Sequence, residues 1–402
     1  MGYTLDRERQ ARLRDRFAAD FGAAGESELF WFSAPGRTEI GGNHTDHNHG
    51  LVLCGAVTLD AVALVRKTGG NRVRLHSEGF TPCELTLDAL EPQDDKHGST
   101  ALIRGIAYGF KERGLNIGGF DAVTHSNVTS GSGLSSSAAY ENLVATIFDH
   151  LYNHGNMNPV EKAKIGQYAE NHYTGKRSGL MDQAASCCGG LMWIDFEAAE
   201  DPIVTPIRYD FGSSGHTLIV TRVGDHAGDD LKEAYNAIPE EMGAVAEQFG
   251  KHYLREVAPE EFYAKWPDLY GNKNIPDRAI LRAHHFFREN ERVREQVRAL
   301  ETGDFDGFLA AVRESGRSSY MYLQNVLAGE RDQKIGVALA LAERLLEGRG
   351  AARVHGGGFA GTIQAFVPDD LADRYVGGMD SVFGSGACAR LSIRYDGGIR
   401  IK

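Results

Sequence analysis

SNVTSGSGLSSSAAYENLVATIFDHL, residues 126–151, sets two glycines and a run of three serines directly before an apolar helical face. Leu143, Val144, Ile147, Phe148 and Leu151 recur at the 3.6-residue period, so the stretch reads as a loop followed by a helix. Gly131 and Gly133 permit a tight turn and a close backbone approach to a ligand. Ser135, Ser136 and Ser137 fall where the first N–H groups of a helix lack partners. Such a helix start binds phosphate, and serine hydroxyls add donors to phosphate oxygens and oxygen ligands for magnesium. A serine N-cap on an ordinary helix has the same local signature, so the loop decides nothing alone. The pattern GxxxxGK[ST] is absent, and the protein-kinase set does not occur as a set, since HRD is missing and the DFG at residues 210–212 stands without it, so any nucleotide needs a different scaffold.

Two other stretches narrow the chemistry. SAPGRTEIGGNHTDHNHGLVL, residues 33–53, is dense in Arg37, Glu39, Asn43, His44, Asp46 and His47, and SGLMDQ, residues 178–183, sets Asp182 in a glycine-bordered loop after Glu170. Polar clusters between apolar runs suit a hydroxyl-rich ligand, because each sugar hydroxyl needs donors and acceptors together.

The rest of the chain bounds the setting. At 402 residues and 42% apolar content the sequence exceeds the size at which single cores stop growing, so two domains are expected. A net charge of −12 repels nucleic acid and anionic membranes. No apolar run is long enough to span a bilayer, and the N-terminal segment reads as a charged helix, so a cytoplasmic protein is expected. Five cysteines without a CxxC pair argue for reduced thiols over a disulfide framework or thiolate zinc site. Strand-like runs (ALVRKT, RVRLHS), a helix opening at Asn158-Pro159 and running to about Glu170, strands around residues 201–220, a long helix from Ala279 to Leu300 and strands at TIQAFVP and ARLSIRY indicate an α+β fold. The boundary is expected near residue 210, giving domains 1–210 and 211–402.

APGRTEIGGNHTDHNHG resembles the N-terminal signature of galactokinases, GLSSSAA their nucleotide-phosphate motif, and VHGGGFAGTIQAF, residues 354–366, the C-terminal glycine motif of the wider GHMP kinase family. AENHYTGKRSGLMDQ and RAHHFFRENERV are similar to further galactokinase segments, so the resemblance spans nearly the whole chain. It implies a two-lobed GHMP kinase fold, with the active site between the lobes, that transfers the γ-phosphate of ATP to the anomeric hydroxyl of galactose. It further implies that Asp182 meets that hydroxyl, with Arg37 beside it stabilising the transferred group. Gly131, Gly133, Leu134, Ser135, Ser136 and Ser137 then form the phosphate loop, with Ser137 and Glu170 as ligands of Mg2+. His44, Asp46 and Tyr235 match positions that touch the sugar, and Gly357 lies in the motif that shapes the sugar end.

The chain departs from the family where it reads GNHTDHN for the usual GEHTDYN. Asn43 stands in place of a glutamate that accepts a bond from the sugar's 6-hydroxyl, and His47 in place of tyrosine. The expectation from Asn43 is a relaxed carbon-6 pocket, tolerating a relative such as galacturonate. Ala360, in GFAG where the family has GFGG, adds a methyl at a close approach. Four rivals stand beside the galactokinase reading: a family member acting on mevalonate or homoserine, against which the HTDHN loop argues, an N-acetylgalactosamine kinase, a non-catalytic sugar sensor on the same fold, and a metal protein built on His44, Asp46, His47 and His49. The sensor loses weight because the serine-alanine motif, Arg37 and Asp182 are all intact. The metal protein loses weight because no distant ligand pair completes a tetrahedral set. The resemblance implies a monomer.

Overall fold

A computed structural model describes residues 3–93, 98–129, 131–176, 178–198, 201–224, 229–327, 329, 331–359 and 361–401, with the side chains of 229–232 outside the description. Ala360 therefore lies outside the described residues. The strands are β1 (Leu29–Gly41), β2 (Leu51–Lys67), β3 (Arg72–Ser77), β4 (Cys83–Thr86), β5 (Phe120–Ser126), β6 (Leu191–Asp195), β7 (Ile203–Ile207), β8 (His216–Arg222), β9 (Ala351–His355), β10 (Thr362–Pro368), β11 (Cys388–Leu391) and β12 (Ile399–Ile401). Helices α1 (Arg7–Phe21), α2 (Ser99–Glu112), α3 (Ser136–Tyr152), α4 (Pro159–Ala169) and α5 (Met181–Cys188) belong to the N-terminal half. In the C-terminal half follow α6 (Asp229–Glu247), α7 (Pro259–Ala264), α8 (Trp266–Gly271), α9 (Asp277–Thr302), α10 (Phe305–Ser318), α11 (Lys334–Leu346) and α12 (Ala372–Phe383).

The first sheet has eight strands in the order β12-β1-β2-β5-β3-β4, with β6 and β7 extending from the N-terminal part of β2. Because side chains alternate along a strand, β2 serves two cores. Ala63 and Val65 pack with Leu143, Val144, Ile147 and Phe148 of α3, while Val62 and Leu64 pack with Leu13 and Phe17 of α1. The apolar face that marks residues 143–148 in the sequence is thus the core contact of α3. Asn158 caps α4 by accepting from Val160 N–H at 2.8 Å, with Pro159 at the first helical position.

The second sheet is antiparallel, β11-β8-β10-β9. Ile363, Ala365 and Val367 of β10 face α11 and α12, whereas Phe366 packs with Phe308 and Val312 of α10. A separate helical core joins Met242 of α6, Phe262 of α7 and Phe286 of α9. The sequence division at 210 falls between β7 of the first sheet and β8 of the second, but one part departs from it. Residues 399–401 return to the first sheet and pair with Trp31–Ser33 of β1, so the extreme C-terminus does not share the second sheet with the rest of 211–402. The reason is the open edge of β1, whose unpaired backbone groups need a partner strand.

Strand β1 is clasped by the C-terminal half. Arg353 of β9, fully buried, donates to Glu39 and to the Ile40 carbonyl, each at 2.6 Å. Gln364 of β10 donates to Thr38 Oγ1 at 2.6 Å, and His355 Nε2 accepts from the Glu39 N–H at 3.2 Å. Glu289 of α9 accepts from the Gly42 N–H at 3.1 Å. These contacts fix the strand that carries Arg37 and Glu39.

Candidate active site

Strand β1 presents Arg37 and Glu39 on one face, two residues apart, because no register shift falls between their partners Ala56 and Cys54. Both line a cavity of about 850 Å³ together with His44, Asp46, Asp182 and Tyr235. Arg37 and Asp182, 145 residues apart in sequence, meet at 2.7 Å through the guanidinium Nε and Oδ1. The Ser135 hydroxyl donates to the other carboxylate oxygen, and Arg37 also donates to the Gly133 carbonyl. Burial works to raise the Asp182 pKa, but the charge of Arg37 and the hydrogen bonds from Arg37 and Ser135 outweigh it. The carboxyl is held below the ordinary aspartate range. The site therefore keeps Asp182 ionised at neutral pH.

The serine run divides its work. Ser135, in a left-handed conformation at φ 57°, turns to Asp182. Ser136 and Ser137 line a second cavity of about 320 Å³ with Tyr140 and Glu170. Thr174 lines both cavities, so the two adjoin. Gly131 and Gly133 have φ of +77° and +72°, the left-handed turn that glycine adopts without strain. Leu134 is placed in the core by its side chain, while its carbonyl accepts from the Arg37 N–H at 3.1 Å.

Glu170 is buried in a single π turn at the end of α4. Lys176 pairs with one of its carboxylate oxygens at 2.6 Å, and Gln183 donates to the other at 3.1 Å. Gln183 also donates to Glu141 at 3.0 Å, and burial and the neighbouring Glu170 push the Glu141 carboxyl well above the usual range. The Glu170 carboxylate and the Ser137 hydroxyl line one cavity wall and are oxygen donors of the kind a hard cation takes, while the Lys176 ammonium is the present countercharge of the carboxylate.

The sugar-side residues sit as follows. His44 Nε2 donates to the Gly357 carbonyl at 3.1 Å, and its buried Nδ1 has no partner among the described residues. Burial, then the charge of His47, push its pKa down to about 3, so the ring is neutral and Nδ1 is an acceptor. Tyr235 lies edge-on to His44 and makes a 3.3 Å hydrogen bond to His47. Gly357 lines the same cavity, and a Cβ there would meet the Tyr235 ring at 2.9 Å.

Asn43 is the exception and corrects the sequence reading. It is 0% exposed, and its amide is fully used inside the protein. The NH2 donates to Glu39 at 3.0 Å and the Gly356 carbonyl at 2.8 Å, while the oxygen accepts from Ser319 at 3.2 Å and Asn325 at 2.8 Å. Two acceptors on one side and two donors on the other fix the amide's orientation and leave it nothing to offer a sugar. The register shift between Glu39 and Gly41 accompanies this inward turn, and no sequence motif announces it. The relaxed carbon-6 pocket loses its basis. The proposed histidine metal site also fails to assemble. His49 stacks on Tyr253 at 3.7 Å, and among the described residues no group of three or more His, Cys, Asp or Glu is placed to hold a metal.

The buried histidines predict an acid-sensitive fold. Burial pushes His285 down to about 4 and His44 to about 3, while an unfolded histidine titrates near 6.5. Below pH 6.5 the unfolded chain thus binds more protons, and stability falls as the pH drops toward 4. Glu39, pushed up by burial to about 7 despite Arg353, and Glu141, pushed well above its usual range, act in the opposite sense, while buried His355, pushed well below its own, adds to the other histidines, so the balance is about one proton. The expected net loss is on the order of 1 kcal/mol per pH unit between pH 6.5 and 5, read as a falling urea midpoint. A flat or rising midpoint would contradict it.

Two lobes about β1, a serine-rich helix start and an Arg–Asp pair beside adjoining cavities define a small-molecule kinase of the GHMP class. Residues 101–190 match the family described as GHMP kinases N terminal domain, and residues 15–67 the galactokinase galactose-binding signature. The galactokinase of Streptomyces coelicolor is 33% identical over 376 residues, 92% of each chain, and that of Clostridium tetani 30% identical over 356 residues, 87% of each. The chain belongs to the galactokinase family. The crystal structure of Lactococcus lactis galactokinase complexed with galactose matches with a TM-score of 0.82 and 25% identity, covering 98% of this chain and 100% of that one. A mevalonate kinase structure matches at a TM-score of 0.65 and 13% identity, covering 91% of this chain and 99% of that one, a likeness of fold.

Proposed function

We propose that the chain transfers the γ-phosphate of ATP to the anomeric hydroxyl of galactose, giving galactose 1-phosphate. The observation that carries this reading is the placement of ionised Asp182, held by Arg37 and Ser135, in a polar cavity that adjoins the serine-lined one. The larger cavity takes the sugar, with Asp46, the His44 acceptor nitrogen and Tyr235 on its hydroxyls. The smaller cavity and the 131–137 loop take the nucleotide. Asp182 orients the anomeric hydroxyl toward the phosphoryl group and receives its proton late, because a carboxylate of lowered pKa is a weak base and a loose transition state asks little of one. Arg37 offsets the charge that spreads over the transferred group. Ser137 and Glu170 would hold Mg2+, which would neutralise phosphate charge; the Glu170 carboxylate is at present paired with Lys176 and Gln183.

The five cysteines are free thiols, which supports a reducing cytoplasm as the site of action. An assay of galactose, N-acetylgalactosamine and galacturonate side by side with Mg·ATP tests the substrate. Galactose is expected to be phosphorylated and galacturonate refused, since a second carboxylate would face Glu39, Asp46 and Asp182. Galacturonate turned over faster than galactose would overturn the assignment.

A further inference from the structure

The resemblance places the 6-hydroxyl-reading carboxylate at position 43, where this chain has an amide sealed in the interior. A carboxylate nevertheless stands on that wall. Glu39 is only 3% exposed and lines the cavity, and its Oε1 is 3.0 Å from the Asn43 amide nitrogen and 2.6 Å from Arg353 Nη2. Among the described residues no hydrogen bond reaches the second oxygen, Oε2, and that atom is not among the buried polar atoms left without a partner. One oxygen is thus anchored and the other faces the cavity.

Spacing gives the second argument. Arg37 and Glu39 are successive residues on one face of β1, about 6.6 Å apart along the strand. Arg37 marks the reacting end by its bond to Asp182, so Glu39 lies roughly one hexose ring away from the anomeric position. Arg353, fully buried, supplies the countercharge that an acid needs in such a wall.

Resting on the sugar-kinase reading, we propose that Glu39 is the specificity residue for the sugar's 6-hydroxyl, its Oε2 accepting that hydroxyl while Asn43 and Arg353 hold Oε1. The carboxylate that the resemblance implies at 43 has in effect moved to the preceding strand, and Asn43 has become its support.

The test compares galactose with 6-deoxygalactose as phosphoryl acceptors for the whole protein and for Glu39→Gln. At pH 8, above the value of about 7 to which burial raises Glu39, a hydrogen bond to a charged group predicts that the unaltered protein prefers galactose by about 10- to 100-fold in kcat/KM. Glu39→Gln should lower that preference about tenfold through galactose alone. Should Glu39→Gln not accumulate as folded protein, Glu39→Asp keeps the charge beside Arg353, withdraws the oxygen by one methylene and should lower the same ratio. A ratio unchanged in the folded variant, or near unity in the unaltered protein while galactose is turned over, overturns the Glu39 assignment and leaves the kinase reading standing. Failure of the unaltered protein to phosphorylate either sugar overturns the kinase reading itself.

Discussion

Asp182→Asn is expected to lower kcat for galactose by about 10³-fold while leaving the protein folded. The amide keeps the shape of the carboxylate but removes the proton acceptor and the charge that meets Arg37 at 2.7 Å, and positioned acid–base groups contribute about 10²–10⁴ in rate. Arg37 retains its bond to the Gly133 carbonyl, so the loop has a remaining anchor. Because the loss falls on a transition-state interaction, kcat and kcat/KM should drop together, with galactose affinity little changed. Steady-state kinetics beside a thermal melt separate this from unfolding. More than a tenth of the original rate in a folded variant would remove Asp182 from the chemistry.

Arg353→Leu is expected to cost about 3–5 kcal/mol of folding stability at pH 8. The substitution strands Glu39 in a buried wall and takes the donor from the Ile40 carbonyl, the situation in which breaking one half of a buried pair is most damaging. The sign of its pH dependence follows from Glu39. Its carboxyl is raised to about 7 even with Arg353 present, and losing that cation raises it further. Below pH 7 the acid is protonated in both proteins and the lost charge pairing no longer counts, so the deficit should shrink at pH 6. Urea unfolding at the two pH values reads the difference, and pairing the change with Glu39→Gln should recover part of the loss. A deficit under 1 kcal/mol at pH 8 would show that the clasp on β1 does not depend on this pair.

Local patterns carried much of the fold. The 3.6-residue face of α3 and the Asn158-Pro159 helix start are statements about neighbours in sequence, and both appear as read. The pairing of Arg37 with Asp182 was legible only through resemblance, since nothing local joins residues 145 apart. Asn43 was misread because motif position implies a side-chain direction, whereas direction here is set by the register shift in β1 and by Ser319 and Asn325 from distant segments. Glu39, four residues earlier, was visible as an acid in a polar loop but carried no sign of which wall it would occupy. Lys176 and Gln183 were likewise unreadable as partners of Glu170, because the π turn that aims the carboxylate has no sequence signature of its own. The return of residues 399–401 to β1 depends on which edge the first sheet leaves open, a property of the assembled sheet.

The reaction assigned to this site is transfer of a phosphoryl group to the carbon-1 hydroxyl of galactose. Phosphorus NMR of the protein with Mg·ATP and galactose, run in parallel with Asp182→Asn, tests it most directly. The expected result is one galactose 1-phosphate formed per ADP by the unaltered protein and none on the same timescale by the variant. Binding of galactose and ATP with no sugar phosphate formed, or phosphate on a carbon other than the first, would contradict it.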